Sequence, residues 1–240
     1  MGVSPRRTSS LSLLVAGLFA LVAGSGAAIA QEPPLPKGYA LDLVAREVAA
    51  GPQLACPAVD LVDYRGDVLR YQAAGKVHPE FRERLIRFER VAVAVATEIY
   101  GRAPLRVVQL GTYSCRPMRR YAGWLSEHAL GNAIDVAGFD FGHLPKGAQL
   151  PTGLDRAFAN GFEVRVDRHW GKKAGHAAVH ARFLAALAQR LVDRSDVFRV
   201  LLGPGYPGHA NHFHFDMAPF KLVQIFAEGR VLGPTADAGG

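Results

Sequence analysis

At 240 residues, 49% of them hydrophobic, the chain can bury one sizeable core and form one domain or at most two. Its formal charge of +7 suits polyanionic surroundings such as cell-wall polymers or lipid surfaces. No basic run interleaved with aromatic residues occurs, which argues against a nucleic-acid binder, and there are no internal repeats.

The chain opens with a secretory pattern. Arg6 and Arg7 form a positive start, Leu11 to Val22 an apolar stretch, and Ala28-Ile29-Ala30 a cleavage site, so residues 1–30 read as a signal peptide. Gly17 and Gly24 interrupt the apolar run, which falls short of the ~20 residues a membrane span needs. The two arginines leave the choice between general and twin-arginine export open. Cleavage removes two basic residues and no acid, leaving +5 on a soluble periplasmic or secreted protein with no transmembrane segment.

Residues 31–40, with Pro33, Pro34 and Pro36, read as a linker, residues 41–232 as the domain, and residues 233–240 as a disordered tail. Leu41 to Ala50 reads as a helix, and Val59 to Tyr71 as strand-like or irregular. From Glu80 to Tyr100 the residues Phe81, Leu85, Phe88, Ala92, Val95 and Ile99 recur in steps of four and three. That spacing predicts a largely buried helix stopped by Gly101. Strands are expected at Leu105 to Leu110, Asn132 to Phe141, Phe162 to Val166 and Val197 to Leu202, with Phe162 to Val166 the antiparallel neighbour of Asn132 to Phe141. A helix is expected at His176 to Val192 and a last one at Phe220 to Ala227. Together these elements predict an α+β domain, a small antiparallel sheet flanked by helices.

Cys56 and Cys115 in an oxidising compartment most simply form one disulfide, with two buried unpaired thiols as the alternative. Two cysteines so far apart in sequence make no zinc clip.

Two stretches carry chemistry. In Ser126 to Asp135 a histidine and an aspartate stand seven positions apart with small residues between them. On a strand beginning near Asn132, Asp135 shares a face with Ala133 and Ala137, while Ile134 and Val136 face the core. In His209 to Asp216, His212, His214 and Asp216 share one face, and Phe213 and Phe215 the other. Two imidazoles and a carboxylate, His128, His214 and Asp135, make a set for Zn²⁺ with a fourth position open to water, and His212 lies beside it.

These residues match S-x-H-x-x-G-x-A-x-D followed by H-x-H. The chain thereby resembles the zinc peptidase superfamily of lysostaphin-type endopeptidases, D-Ala-D-Ala carboxypeptidases and the hedgehog domain. Tyr113-Ser114-Cys115-Arg116 followed by Leu125 to Val136 is similar to the bacterial extensin-like C-terminal domain family, over roughly Cys56 to Phe220. The resemblance implies a sheet that carries a zinc site and an exported peptidase that hydrolyses peptide bonds in peptidoglycan, with zinc lowering the pKa of its bound water. It further implies His212 as base or oxyanion stabiliser, Arg116 as a substrate-binding cation, and His209 as a histidine with a counterpart in one branch. Asn211 stands where the carboxypeptidase branches place a glutamate base, which leaves His212 as the best candidate for the base.

Other readings stay open. Asp216 orients a ligand histidine or is a turn residue. His176 and His180, four apart, read as a solvated helix face. Ser126 reads as a loop-shaping hydrogen bonder, and Glu127 has no special claim to a role as base. Trp124, Tyr113, Trp170 and Tyr206 are candidates for cleft walls. A zinc-containing wall-binding module without catalysis, or a purely structural zinc, are the competing functions.

Overall fold

The computed structural model describes residues 1, 2, 38–51 and 53–226. The expected signal peptide from residue 3 on, the expected linker up to residue 37, and the expected tail lie outside the described residues. The remainder is an α+β domain, as the pattern of elements predicts.

After a 3-10 turn at Ala40–Leu43, the chain forms β1 (Val62–Tyr64), β2 (Arg70–Tyr71), β3 (Gly75–Val77) and the long helix α1 (Pro79–Tyr100). There follow β4 (Arg106–Gly111), β5 (Ala133–Phe141), β6 (Phe162–Arg165), α2 (Val166–His169), α3 (Gly175–Val192), β7 (Val200–Leu202), β8 (Phe213–Asp216) and β9 (Leu222–Gln224). β1 and β3 form an antiparallel ribbon. The other strands form a seven-stranded sheet in the order β2-β4-β5-β8-β7-β9, with β6 also paired to β5. The strands at its centre run antiparallel, and only the edge pairs β2-β4 and β7-β9 are parallel.

Helix α1 forms where its apolar spacing places it. His78 caps its start by accepting the Glu80 N–H at Nδ1, Pro79 occupies the first turn, and Gly101 ends it at φ 71°, a left-handed conformation that glycine adopts without cost. Phe88 projects from its centre into the core, with ring centroids 5.6 Å from Phe198, 5.8 Å from Phe215 and 6.4 Å from Phe139. Phe139 in turn meets Phe183 of α3 edge to face at 5.2 Å. Both long helices therefore cover one face of the sheet.

β5 organises the rest. Ala133 to Val136 pair with β8 and Gly138 to Phe141 pair with β6, so two strands share one edge of β5 in succession. Against β4, Val108 faces Gly138 and Gln109 faces Val136, which leaves Ala137 as an extra residue. This bulge reverses the alternation, so that Ile134 and Val136 before it and Phe139 and Phe141 after it all join the core. Gly138 is required there, because a Cβ would lie 2.0 Å from the Val164 carbonyl oxygen.

Two expected helices do not form among the described residues. Over Leu41 to Ala50 the helical part is only the turn at Ala40–Leu43, because the Arg46 guanidinium takes the carbonyls of Leu41 (2.9 Å) and Val44 (2.7 Å), and Glu47 bridges to Trp124 in extended form. In place of a helix at Phe220 to Ala227 stands β9, whose backbone pairs in parallel with β7. The strand expected at Val197 to Leu202 is β7 alone, since Val197 and Phe198 turn back to the Arg194 carbonyl. Tyr39, which composition assigns to the linker, is buried in the core.

His176 and His180 also part company. His176 is exposed and pairs with Asp155, whereas His180 is buried and its Nδ1 lies in hydrogen-bond contact with the Tyr100 hydroxyl at 2.9 Å. The solvated-face reading therefore fails for His180, because the helix turns that position toward Tyr100, Phe158 and Phe162. Burial, then the neighbouring His169 and His176, lower the His180 pKa from 6.5 to about 4. The unfolded chain binds this proton more readily than the folded one, so the stability contributed is complete above pH 6.5 and is lost as pH falls toward 4. Urea unfolding at stepped pH should show this loss in the wild type and a flatter profile in His180→Leu; identical profiles would contradict it.

Cys56 and Cys115 are joined, with Cα atoms 5.9 Å apart and 59 positions between them in sequence. On the chain-entropy model, closing a loop of about 60 residues stabilises by roughly 4 kcal/mol. The Cys56→Ala/Cys115→Ala variant should lose an amount of that order in denaturant titration. A loss below about 1 kcal/mol would show that the unfolded chain is already restrained.

Candidate metal centre and cleft

The first motif folds as a 3-10 turn, Glu127–Leu130, followed directly by β5. Ser126 caps the turn by accepting the His128 N–H at 3.4 Å, the loop-shaping role its type suggests. Gly131 closes the turn at φ 61°, and a Cβ there would lie 2.4 Å from Leu61 Cδ2 and 2.9 Å from the His78 nitrogen. The turn is locked from outside by the segment before β1. Arg46 pairs with both oxygens of Glu127, Asn132 donates to Glu127 Oε2 at 2.6 Å, and the Tyr39 hydroxyl donates to Asn132 Oδ1. Glu127 is thus a structural anchor, consistent with its lack of claim to a role as base.

β5 and β8 lie side by side with Asp135 opposite His214. The turn brings His128 to the same point, and three ligand atoms converge. His214 Nδ1 lies 2.9 Å from Asp135 Oδ1, and His128 Nε2 lies 3.2 Å from both. All three residues are buried or nearly so. Among the described residues, this is the group of histidine, cysteine and acidic side chains whose geometry can hold a metal ion.

The far nitrogens decide the chemistry. His128 Nδ1 faces the Thr112 carbonyl at 3.2 Å, and His214 Nε2 faces Asp216 Oδ2 at 2.8 Å. Both partners only accept, so those nitrogens carry protons, and the inward nitrogens are left to bind either a metal ion or a second proton. Two imidazole nitrogens and a carboxylate oxygen within 3.2 Å of one another need positive charge among them, supplied by a metal ion or by protons. Protons can fill that place as well as a metal ion: burial opposes charge on both groups, yet the Asp135 and Asp216 carboxylates push His214 up to about 10, and hydrogen bonds from His128 and His214 hold Asp135 well below the usual range, so a metal ion bound there displaces protons. Asp216, also bonded by the Ala218 N–H at 2.9 Å, orients His214 and is no free turn residue.

β8 begins one residue after His212, yet His212 reaches the cluster, with Nε2 3.5 Å from Asp135 Oδ1 and Nδ1 2.8 Å from Asn211 Oδ1. Burial, partly offset by Asp135, lowers its pKa. The His209 ring centroid lies 4.9 Å from His212 and 5.7 Å from His214, and its Nδ1 meets the Pro207 carbonyl at 3.2 Å. Arg116 lines the same cleft, and its positive charge adds to the lowering at His212.

That cleft has a volume of about 850 Å³ and opens over the cluster. One wall is the loop between Arg116 and Ser126, and the other comes from the Gly203–Gly208 loop and the chain after β8. Trp124 and Tyr206 line it, as expected of cleft aromatics. Trp170 does not, because it packs against Phe213 and Phe226, and Tyr113 is exposed outside the lining. Sequence reasoning missed Arg46, Asn132 and Thr112. Arg46 lies 81 positions from its carboxylate partner, and no local pattern marks such a pair.

Residues 39–149 match the family model described as Extensin-like protein C-terminus. The match supports the extensin-like family and carries His128 and Asp135, while His209, His212 and His214 lie beyond its end. No curated protein matches, and no solved structure does. The disulfide fits an exported protein. No helix among the described residues is long and apolar enough to cross a membrane.

Proposed function

We propose that this is an exported zinc-dependent peptidase of the zinc peptidase superfamily that hydrolyses peptide bonds in peptidoglycan. The observation that carries the reading is the convergence of His128 Nε2, Asp135 Oδ1 and His214 Nδ1 at the floor of an open cleft, with His212 beside them. Two imidazoles and one carboxylate are a donor set suited to Zn²⁺ in a catalytic site. When bound there, zinc supplies Lewis acidity that polarises a carbonyl and activates water near neutral pH.

The chain's own groups do the rest. With Nδ1–H donated to Asn211 Oδ1, His212 presents the Nε2 lone pair toward the cluster, where it accepts the proton of the attacking water and afterwards returns it to the leaving amine. A histidine held neutral by burial is matched to that task at neutral pH. Arg116, on the wall above, offers a guanidinium to the substrate. The secretory pattern of residues 1–30 and the disulfide support action outside the cytoplasm, where peptidoglycan is the polymer at hand.

Purified protein incubated with peptidoglycan should release muropeptides. Release should stop with a chelator and fall about 10²–10⁴-fold in His212→Ala. A second reading, a zinc-containing wall-binding module without catalysis, draws on the exposed Trp124, Tyr121 and Phe220 along the cleft. Retention on the wall with no products in any arm would favour it.

A further inference from the structure

Charges along the cleft are unbalanced. Each acid that lines it is already committed: Glu127 to Arg46 and Asn132, Asp135 to His128 and His214, and Asp216 to His214 and the Ala218 N–H. Arg119 and Arg120, on the loop that forms one wall, make no ion pair and donate no side-chain hydrogen bond among the described residues. Both are exposed. The base of their loop is fixed, since Met118 N–H bonds to the Trp124 carbonyl at 2.7 Å, Leu125 N–H to the Arg46 carbonyl at 2.6 Å, and Val48 N–H to the Gly123 carbonyl at 2.9 Å. The tip is therefore held over the cleft. Arg119 extends toward the opposite wall, where a Cβ on Gly208 would lie 3.8 Å from its Nη1.

We propose that the cleft takes an acidic peptide, with Arg119 and Arg120 binding its carboxylates while its apolar groups lie on Trp124 and Phe220. Guanidinium forks match carboxylates in two-point hydrogen bonds, and a fixed loop reduces the ordering cost of forming them. Two features favour a peptide over a phosphate polymer. Trp124 and Phe220 are large apolar side chains left 48% and 50% exposed in the cleft, and Met118, Leu202 and Leu222 extend that surface. A polyphosphate or polyol phosphate has nothing to place on them. The inference names the substrate class of the peptidase reading and rests on it only for cleavage; binding stands separately.

The test is equilibrium binding of two capped hexapeptides of alanine, one with two glutamates and one with two glutamines in their place, by calorimetry at about 50 mM and about 500 mM NaCl. The wild type should bind the glutamate peptide about tenfold tighter at low salt, with the preference shrinking at high salt. Arg119→Gln/Arg120→Gln should cut the preference below about twofold, with the thermal midpoint and glutamine-peptide affinity unchanged. The preference should survive in chelator-treated wild type and in His128→Ala, so a failed peptidase assay leaves this result standing, and the reverse holds too. Equal affinity for the two peptides, a preference kept by the double variant, or tighter binding of polyphosphate than of the glutamate peptide would overturn the proposal.

Discussion

Asp135→Ala is expected to lose the metal and, with it, hydrolysis, while the chain stays folded. Asp135 Oδ1 is the oxygen that both histidines share, at 2.9 Å and 3.2 Å, and without it two imidazole lone pairs remain as the only ligands. Structural zinc sites with four protein ligands carry roughly 10–16 kcal/mol of binding free energy, so one ligand is worth about 2.5–4 kcal/mol. Competition with a chromophoric chelator should show affinity falling about 10²–10³-fold. Folding should survive because the carboxylate sits at the cleft side of β5, opposite Ile134 and Val136, and fills no core space. Wild-type affinity in Asp135→Ala would remove this residue from the ligand set. The variant Asp216→Asn should weaken binding by a smaller factor, about 10–100-fold, since it acts only through His214.

A loss of stability as large as that from removing the disulfide is expected from Glu89→Ala, far from the cleft. Glu89 lies in α1 with no exposure, yet its carboxylate accepts four bonds: the Tyr64 hydroxyl at 2.6 Å, and the backbone N–H groups of Asp67, Val68 and Leu69 at 3.2, 2.6 and 3.0 Å. It thereby pins the turn between β1 and β2 onto the helix. Truncation leaves donors unpaired, each costing about 1–3 kcal/mol where water cannot reach. Asp67 and Val68 are exposed and can recover bonds to water, whereas Tyr64 and Leu69 are buried. A net loss of about 3–5 kcal/mol follows, with faster amide exchange confined first to residues 65–71. Glu89→Gln should also destabilise, because its NH₂ group presents a donor to donors. A change below about 1 kcal/mol in Glu89→Ala would show that the turn is held by other contacts.

Legibility in the sequence followed the physics of each element. Helix α1 was readable because one apolar stripe faces one core, and β8 because Phe213 and Phe215 must alternate with His214 and Asp216. The convergence of His128, Asp135 and His214 was readable for the same reason: a turn closed by Gly131 and a strand with small neighbours leave few ways to arrange them. Other features depend on partners distant in the chain. β9 looked like a helix because a parallel edge strand shows no alternation of its own, and its pairing with β7 decides its form. The extra residue Ala137 is invisible in composition, yet it puts Phe139 and Phe141 on the core side. Arg46, Glu89 and His180 are polar residues whose burial is settled by tertiary partners, and a polar residue at such a position reads as solvated until those partners are known.

The role of Asp216 shows the same limit from the other side. Its place on the His214 face was legible, but only the distance of 2.8 Å from His214 Nε2 shows that this nitrogen carries a proton and turns Nδ1 inward. With the Thr112 contact at His128 and the convergence on Asp135, this contact supports the claim that a cation belongs among the three groups.

X-ray absorption on protein purified without chelating resins or added metal, together with elemental analysis, tests that claim most directly. One zinc per chain, with a first shell of two imidazoles and light oxygen or nitrogen scatterers and no sulfur, is the predicted result. Folded protein that contains no divalent metal and takes none up at about micromolar concentration would contradict it.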